Sequence, residues 1–117
     1  MTDLTFYHNP RCSKSREALE LIEARGQQPR IVRYLETPPS ATELQELLGK
    51  LGISARQLLR SGEDEYKSLN LSDPSLGEAA LIEAMTGHPK LIERPILVVG
   101  QRAVIGRPPE TVLEILP

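Results

Sequence analysis

The first 35 residues of this chain predict a strand, a helix and a second strand in succession. Leu4–Tyr7 is a short apolar run typical of a strand, and helical spacing begins at Ser13. Gly26 and Pro29 end that helix, and a second strand is predicted at 31–35. Two strands joined by a helix usually lie side by side in parallel, with a right-handed crossover. This βαβ unit restricts the chain to folds that contain a parallel strand pair.

The middle of the chain is predicted to be helical. Ser40 and Glu43 form a capping box before an apolar stripe, and Gly52 ends that helix. Ser54 and Gln57 form a second capping box, which opens a short helix. Further signals predict a short turn at 66–69 and a helix at 79–85 that ends at Gly87-His88-Pro89.

The last part of the chain returns to strands. Apolar runs at 95–99 and 102–105 flank Gly100, whose place in a two-residue loop suits a type II′ hairpin. Pro109 opens a last predicted helix. The order is therefore β-α-β, an all-helical insertion at about 40–88, then β-β-α. This order predicts an α/β protein with a thioredoxin-like mixed sheet, in a single domain over 1–117.

Size and charge exclude several classes of protein. A chain of 117 residues fits one domain, and its formal charge of −2 argues against a nucleic-acid or anionic membrane surface. No apolar run approaches the roughly 20 residues that span a bilayer. The first residues lack the basic and apolar stretches of a signal peptide. We therefore expect a cytoplasmic protein without membrane or nucleic-acid partners.

Cys12 is the only cysteine of the chain, which excludes an internal disulfide and a cysteine-rich metal site. It lies at the predicted start of the first helix, where unpaired N–H groups and a partial positive charge stabilise a thiolate. The surrounding segment, His8–Arg16, contains three cations and no acid. A single cysteine is most often a packing residue, but these neighbours favour a reactive one.

Ser15 occupies the position of the second sulfur in a Cys-x-x-Cys motif. Without a resolving thiol, an oxidised or derivatised Cys12 must be cleared by an external thiol such as glutathione or glutaredoxin. The residue six after Cys12 is Ala18, so the Cys-x5-Arg loop of low-molecular-weight tyrosine phosphatases is missing. The sequence therefore favours external-thiol chemistry over phosphatase chemistry.

The segment around Cys12 resembles a known family. Tyr7-His8-Asn9-Pro10 followed by Cys12 is similar to the active-site segment of the glutaredoxin-coupled arsenate reductases, the ArsC family of thioredoxin-like proteins. Further matching stretches cover nearly the whole chain, in the right order: YLETPPS at 34–40, LLR at 58–60, HP at 88–89, RPI at 94–96 and GRP at 106–108. Their order around a correctly placed cysteine makes the resemblance specific.

The resemblance implies an activity and a set of site residues. In that family the reactive cysteine attacks arsenate, glutathione adds to the arseno-cysteine adduct, and glutaredoxin resolves the intermediate so that arsenite is released. The family arginines that bind the oxyanion fall on Arg60, Arg94 and Arg107. The histidine that favours the thiolate matches His8, and the family's cis-proline matches Pro95. No metal or bound cofactor is implied, since glutathione is a co-substrate.

Three functions stay open. The leading one is arsenate reduction by Cys12 with glutathione and glutaredoxin. The second is a glutathione-dependent thiol reductase of the same fold with another substrate; Arg11 and Lys14, bulkier and more charged than the family's usual residues, leave that choice open. The third is an Spx-like regulator that binds RNA polymerase. Redox-sensing members of that group usually have Cys-x-x-Cys, whereas this chain has Ser15 at the second position.

Overall fold

The computed structural model describes residues 3–117. Met1 and Thr2, the start of the N-terminal segment considered above, lie outside the described residues. The chain divides into two compact units. The first unit comprises the chain up to Thr37 together with Arg94–Pro117, and the second is Pro38–Glu93. None of the helices within residues 3–117 has the length and apolarity needed to cross a membrane.

The first unit contains a four-stranded mixed sheet in the order β2-β1-β3-β4. Its strands are β1 (Leu4–Tyr7), β2 (Arg30–Val32), β3 (Ile96–Val99) and β4 (Arg102–Ile105). β1 pairs in parallel with β2 and antiparallel with β3, which pairs antiparallel with β4. The parallel pair and the mixed sheet confirm the predicted α/β arrangement.

The core of the first unit fixes the helix that begins after Cys12. This helix, α1 (Ser13–Ala24), buries Ala18 and Ile22, which lie four residues apart and therefore on one face. They belong to one apolar cluster with Phe6 of the sheet and Val112 near the C-terminus. Burial of these side chains holds the first turn of α1 at a fixed place above the sheet.

The second unit is helical, as predicted. Its elements are α2 (Ala41–Leu51), α3 (Ala55–Leu58), α4 (Asp64–Ser68), α5 (Glu78–Gly87) and a 3-10 segment at Pro89–Leu91. Both predicted capping boxes form, with Ser40 Oγ accepting the Glu43 N–H at 3.1 Å and Ser54 Oγ accepting the Gln57 N–H at 3.3 Å. Gly52 ends α2 with a φ of 70°, the left-handed conformation that favours glycine.

The predicted second strand, 31–35, is wrong in its length. β2 ends at Val32, because the Arg33 carbonyl accepts the N–H groups of Glu36 and Thr37, both at 2.9 Å. Tyr34 has a high strand propensity, but its side chain is buried in this turn. The chain therefore turns away from the sheet immediately after β2.

Two further elements differ in type from the prediction. The turn expected at 66–69 is the helix α4, which ends at Ser68. The expected last helix is a 3-10 segment, Pro109–Glu114. The Thr111 N–H bonds to the Pro108 carbonyl at 3.0 Å, three residues back, which is the tighter 3-10 spacing.

Candidate active site

Cys12 is the N-cap residue of α1 and is half-buried. Its carbonyl accepts the Arg16 N–H at 3.0 Å, and its own N–H donates to the Asn9 carbonyl at 3.0 Å. The backbone at Cys12 is extended, with φ −94° and ψ 122°. The loop after β1 therefore delivers the sulfur to the end of the helix where N–H groups are unpaired.

Opposing effects act on the thiol, and their sum favours the thiolate. Burial on its own raises the pKa of Cys12. Hydrogen bonds from the backbone N–H groups of Ser15 and Lys14, and the hydrogen bond and charge of the Arg94 guanidinium, lower it further than burial raises it. The resulting pKa is below the ordinary value of a cysteine, which suits Cys12 to act as a nucleophile.

Two of the three predicted arginines lie at this cysteine. Arg107 Nη2 is 3.8 Å from Cys12 Sγ, and Arg107 Nε donates to the Arg94 carbonyl at 2.7 Å. The β3–β4 hairpin explains their proximity, because Ile96 pairs with Ile105 and each arginine lies two residues beyond that pair. The Arg94–Pro95 peptide bond is cis, the isomer expected for Pro95, and the bond that follows Arg107 is cis as well.

Arg60 lies in the second unit. Its backbone N–H donates to the Leu91 carbonyl at 2.8 Å. Its guanidinium donates to Glu93 at 2.8 Å and forms an ion pair with Glu63 at 3.3 Å. The partners of Arg60 are thus carboxylates of its own unit, and its role in binding an oxyanion stays a prediction.

His8 contacts a serine of the first helical turn. His8 is only 6% exposed, and its Nδ1 is 2.7 Å from Ser15 Oγ, which also accepts the Asn9 N–H at 3.0 Å. Burial lowers the pKa of His8, with smaller contributions from the charges of Arg33 and Arg16 that outweigh the opposing effect of Glu23. The groups that lower the pKa of Cys12 are the Ser15 and Lys14 N–H groups and Arg94, and the role of His8 in favouring the thiolate stays a prediction.

Ser15 is the site residue whose role the sequence analysis missed. It is fully buried, and its hydroxyl joins His8 to the Asn9 backbone while its N–H faces the Cys12 sulfur. A signal was present in the sequence, since serine in the first turn of a helix readily bonds to nearby backbone and side-chain groups.

Comparison with known proteins matches residues 7–115 to the ArsC family. The uncharacterized protein YfgD of Escherichia coli (strain K12) is 60% identical over 94% of this chain and 93% of its own length. An arsenate reductase of Haemophilus influenzae is 55% identical over 94% of this chain and 96% of its own. The structure of an arsenate reductase from Vibrio cholerae is 52% identical, with a TM-score of 0.96, and 98% of each chain is covered.

Proposed function

The chain belongs to the ArsC family, and from this premise we propose that it reduces arsenate to arsenite with Cys12 as the nucleophile. One observation carries the proposal. Arg107 Nη2 lies 3.8 Å from the Cys12 sulfur, so a guanidinium donor stands beside the attacking atom. A planar, permanently charged donor group suits a tetrahedral oxyanion.

The proposed reaction uses two thiols besides Cys12. The thiolate attacks arsenic, one arsenate oxygen leaves as water, and an S–As bond forms. Glutathione displaces a second oxygen as water and forms a second S–As bond. A glutaredoxin thiolate then attacks the glutathione sulfur, so that an S–S bond forms while the electron pair of that S–As bond reduces As(V) to As(III). Water hydrolyses the remaining S–As bond, which releases arsenite and restores Cys12.

The site residues have distinct proposed roles in these steps. Arg94 lowers the pKa of Cys12, which raises the fraction of the nucleophile that is a thiolate before substrate binds. Arg107, whose Nε donates to the Arg94 carbonyl and whose Nη2 lies 3.8 Å from Cys12 Sγ, is proposed to bind the oxyanion beside the nucleophile. Arg60 is proposed as the third oxyanion ligand on the basis of the family resemblance. Cytosolic thiols are kept reduced by glutathione, so the reaction is proposed to run in the cytoplasm.

The test is arsenite production by the purified chain with arsenate, glutathione and glutaredoxin. Cys12→Ser should abolish it. Arg107→Ala should lower kcat/KM for arsenate about 10- to 150-fold, the equivalent of one lost hydrogen bond between charged groups. Arg102→Ala is the matched control, because Arg102 is an exposed arginine of β4 in the same unit.

Two results would contradict the proposal. Arsenite formation above background in Cys12→Ser would remove Cys12 as the nucleophile. A parent protein that is inactive with arsenate but reduces a glutathione mixed disulfide would instead be a thiol reductase with another substrate.

A further inference from the structure

A cleft of about 200 Å³ lies in the first unit beside the active-site loop. One wall is residues 8–11, which lead into Cys12. The other wall is formed by Arg33, Leu35 and Glu36, which follow β2. The mechanism described above uses none of the residues of this second wall.

The fold explains why a cleft forms at this place. The His8 N–H donates to the Val32 carbonyl at 2.9 Å, as the last hydrogen bond between the parallel strands β1 and β2. Beyond this hydrogen bond the two segments diverge. The one after β1 forms the Cys12 loop, and the one after β2 forms the turn at Arg33. A crevice outside the carboxyl ends of parallel strands is where open α/β sheets commonly bind ligands.

The walls of the cleft have a definite charge pattern. Arg11 and Arg33 contribute two guanidinium groups, and Glu36 contributes one carboxylate. All three side chains are exposed, and Leu35, at 37% exposure, adds an apolar surface between the charged groups. A ligand that complements this pattern carries two carboxylates, one ammonium group and a short uncharged stem.

We propose that this cleft binds the thiol that acts on the Cys12 adduct, and that this thiol is a small peptide with two carboxylates and one ammonium group, the chemistry of glutathione. The inference rests on the proposed function. An external thiol is required because Ser15 stands where a resolving cysteine would be. The cleft is adjacent to the nucleophile in sequence, since Arg11 lines it and precedes Cys12.

The bound arrangement follows from the charges. Each arginine pairs with one carboxylate of the peptide, and Glu36 pairs with its ammonium group. A thiol without carboxylates, such as cysteamine, lacks these contacts and gains nothing from the arginines. The cleft therefore selects among thiols by charge.

Binding can be measured without any reaction. S-methylglutathione, whose sulfur is blocked, is titrated into the full chain while backbone amide resonances are followed by NMR. We expect shifts at 8–11 and 33–36, and a Kd about tenfold or more higher in Arg33→Ala. Arg11→Ala provides a second variant with the same expectation. Arg30→Ala is the matched control, because Arg30 is an exposed arginine of β2 outside the cleft.

A kinetic measurement separates this inference from the proposed function. In Arg33→Ala the KM for glutathione should rise about tenfold while the KM for arsenate stays that of the parent, and rates with cysteamine should not change. No binding of S-methylglutathione, or equal effects of Arg33→Ala and Arg30→Ala, would overturn the cleft assignment even if arsenate is reduced. Binding that depends on Arg33 in a chain that does not reduce arsenate would support the cleft and remove the proposed function.

Discussion

At Cys12, burial and polar contacts act on the thiol in opposite directions. Burial favours the neutral thiol, and the hydrogen bonds at the helix N-terminus together with the Arg94 guanidinium favour the thiolate. The sequence showed both the helix start and the nearby cations. It could not show which cation reaches the sulfur, because Arg94 lies 82 residues away along the chain and arrives only through the β1–β3 pairing.

Arg94→Ala should raise the pKa of Cys12, since it removes a hydrogen bond and a positive charge that stabilise the thiolate. The measurement is the rate of iodoacetamide alkylation as a function of pH, whose midpoint should move to higher pH. Arg102→Ala, an exposed arginine of the same hairpin, should leave the midpoint in place. An unchanged midpoint in Arg94→Ala would show that Arg94 does not stabilise the thiolate, which would leave the helix terminus and Arg107 to do so.

Ser15→Ala should destabilise the fold and remove the hydrogen bonds that hold the active-site loop at His8 and Asn9. The change leaves the buried His8 Nδ1 and the half-buried Asn9 N–H without their common partner. Unpartnered buried polar groups cost about 1–3 kcal/mol, which urea denaturation would measure as a lower free energy of unfolding. Ser13→Ala, at the exposed start of α1, should change it by less than about 0.5 kcal/mol. Equal values for the two variants would refute the bridging role of Ser15.

At the scale of elements, local signals predicted the structure well where they act within a few residues. β1, α1, the two capping boxes and the glycine end of α2 depend on neighbours in sequence, and all of them form. The length of β2 and the 3-10 winding of the last segment were missed. Tyr34 and Val112 are buried at these two places, and the period of the sequence encodes neither the turn at Arg33 nor the 3-10 hydrogen bond of Thr111.

Gly106 shows how closely the elements of the first unit approach one another. A Cβ on Gly106 would lie 2.9 Å from Pro95 Cγ and 3.1 Å from Val112 Cγ1. Gly106→Ala should therefore lower the free energy of unfolding by about 1–3 kcal/mol through overpacking, and should displace the neighbouring Arg107. Urea denaturation and the arsenite assay would measure the two effects.

The matched control for Gly106→Ala is a glycine substitution that is expected to raise the free energy of unfolding instead of lowering it. Gly49 lies in α2, where an added Cβ would meet no atom within 4 Å. Gly49→Ala should raise the free energy of unfolding by up to about 1 kcal/mol, because alanine is the better helix former. A stabilising Gly106→Ala would show that the elements around Pro95 can move apart without cost.

At the scale of the whole molecule, charge is unevenly distributed. The chain has a formal charge of −2, yet the segment from His8 to Arg16 has only cations, and Arg94 and Arg107 join it through the sheet. Net charge alone argued only against polyanionic partners such as nucleic acids. The local excess of positive charge is what an oxyanion and an acidic thiol peptide would meet.

Burial of His8, together with the charges of Arg33 and Arg16, makes the stability of the protein sensitive to acid. Burial and two arginines lower the pKa of His8 below its ordinary value of 6.5 in the folded state, so the unfolded chain binds the proton more readily. The free energy of unfolding should therefore fall as the pH drops below about 6.5, by at most about 1.4 kcal/mol per pH unit, until the folded-state pKa is passed.

Urea denaturation between pH 5 and 8 tests whether His8 makes the stability sensitive to acid. The measurement uses a Cys12→Ser background, because Cys12 also has a lowered pKa and would add its own pH dependence. Asp73, whose pKa the Ser75 hydroxyl lowers below 3.8, contributes only in more acidic solution.

His8→Asn should flatten the dependence of the free energy of unfolding on pH between pH 5 and about 6.5, since asparagine can still accept a hydrogen bond from Ser15 but takes up no proton. His88 is an exposed histidine of the second unit, and His88→Asn is the control that should leave the dependence of the free energy of unfolding on pH as in the parent. A slope that persists in His8→Asn would place the acid sensitivity on another group and leave the buried His8–Ser15 pair without a role in it.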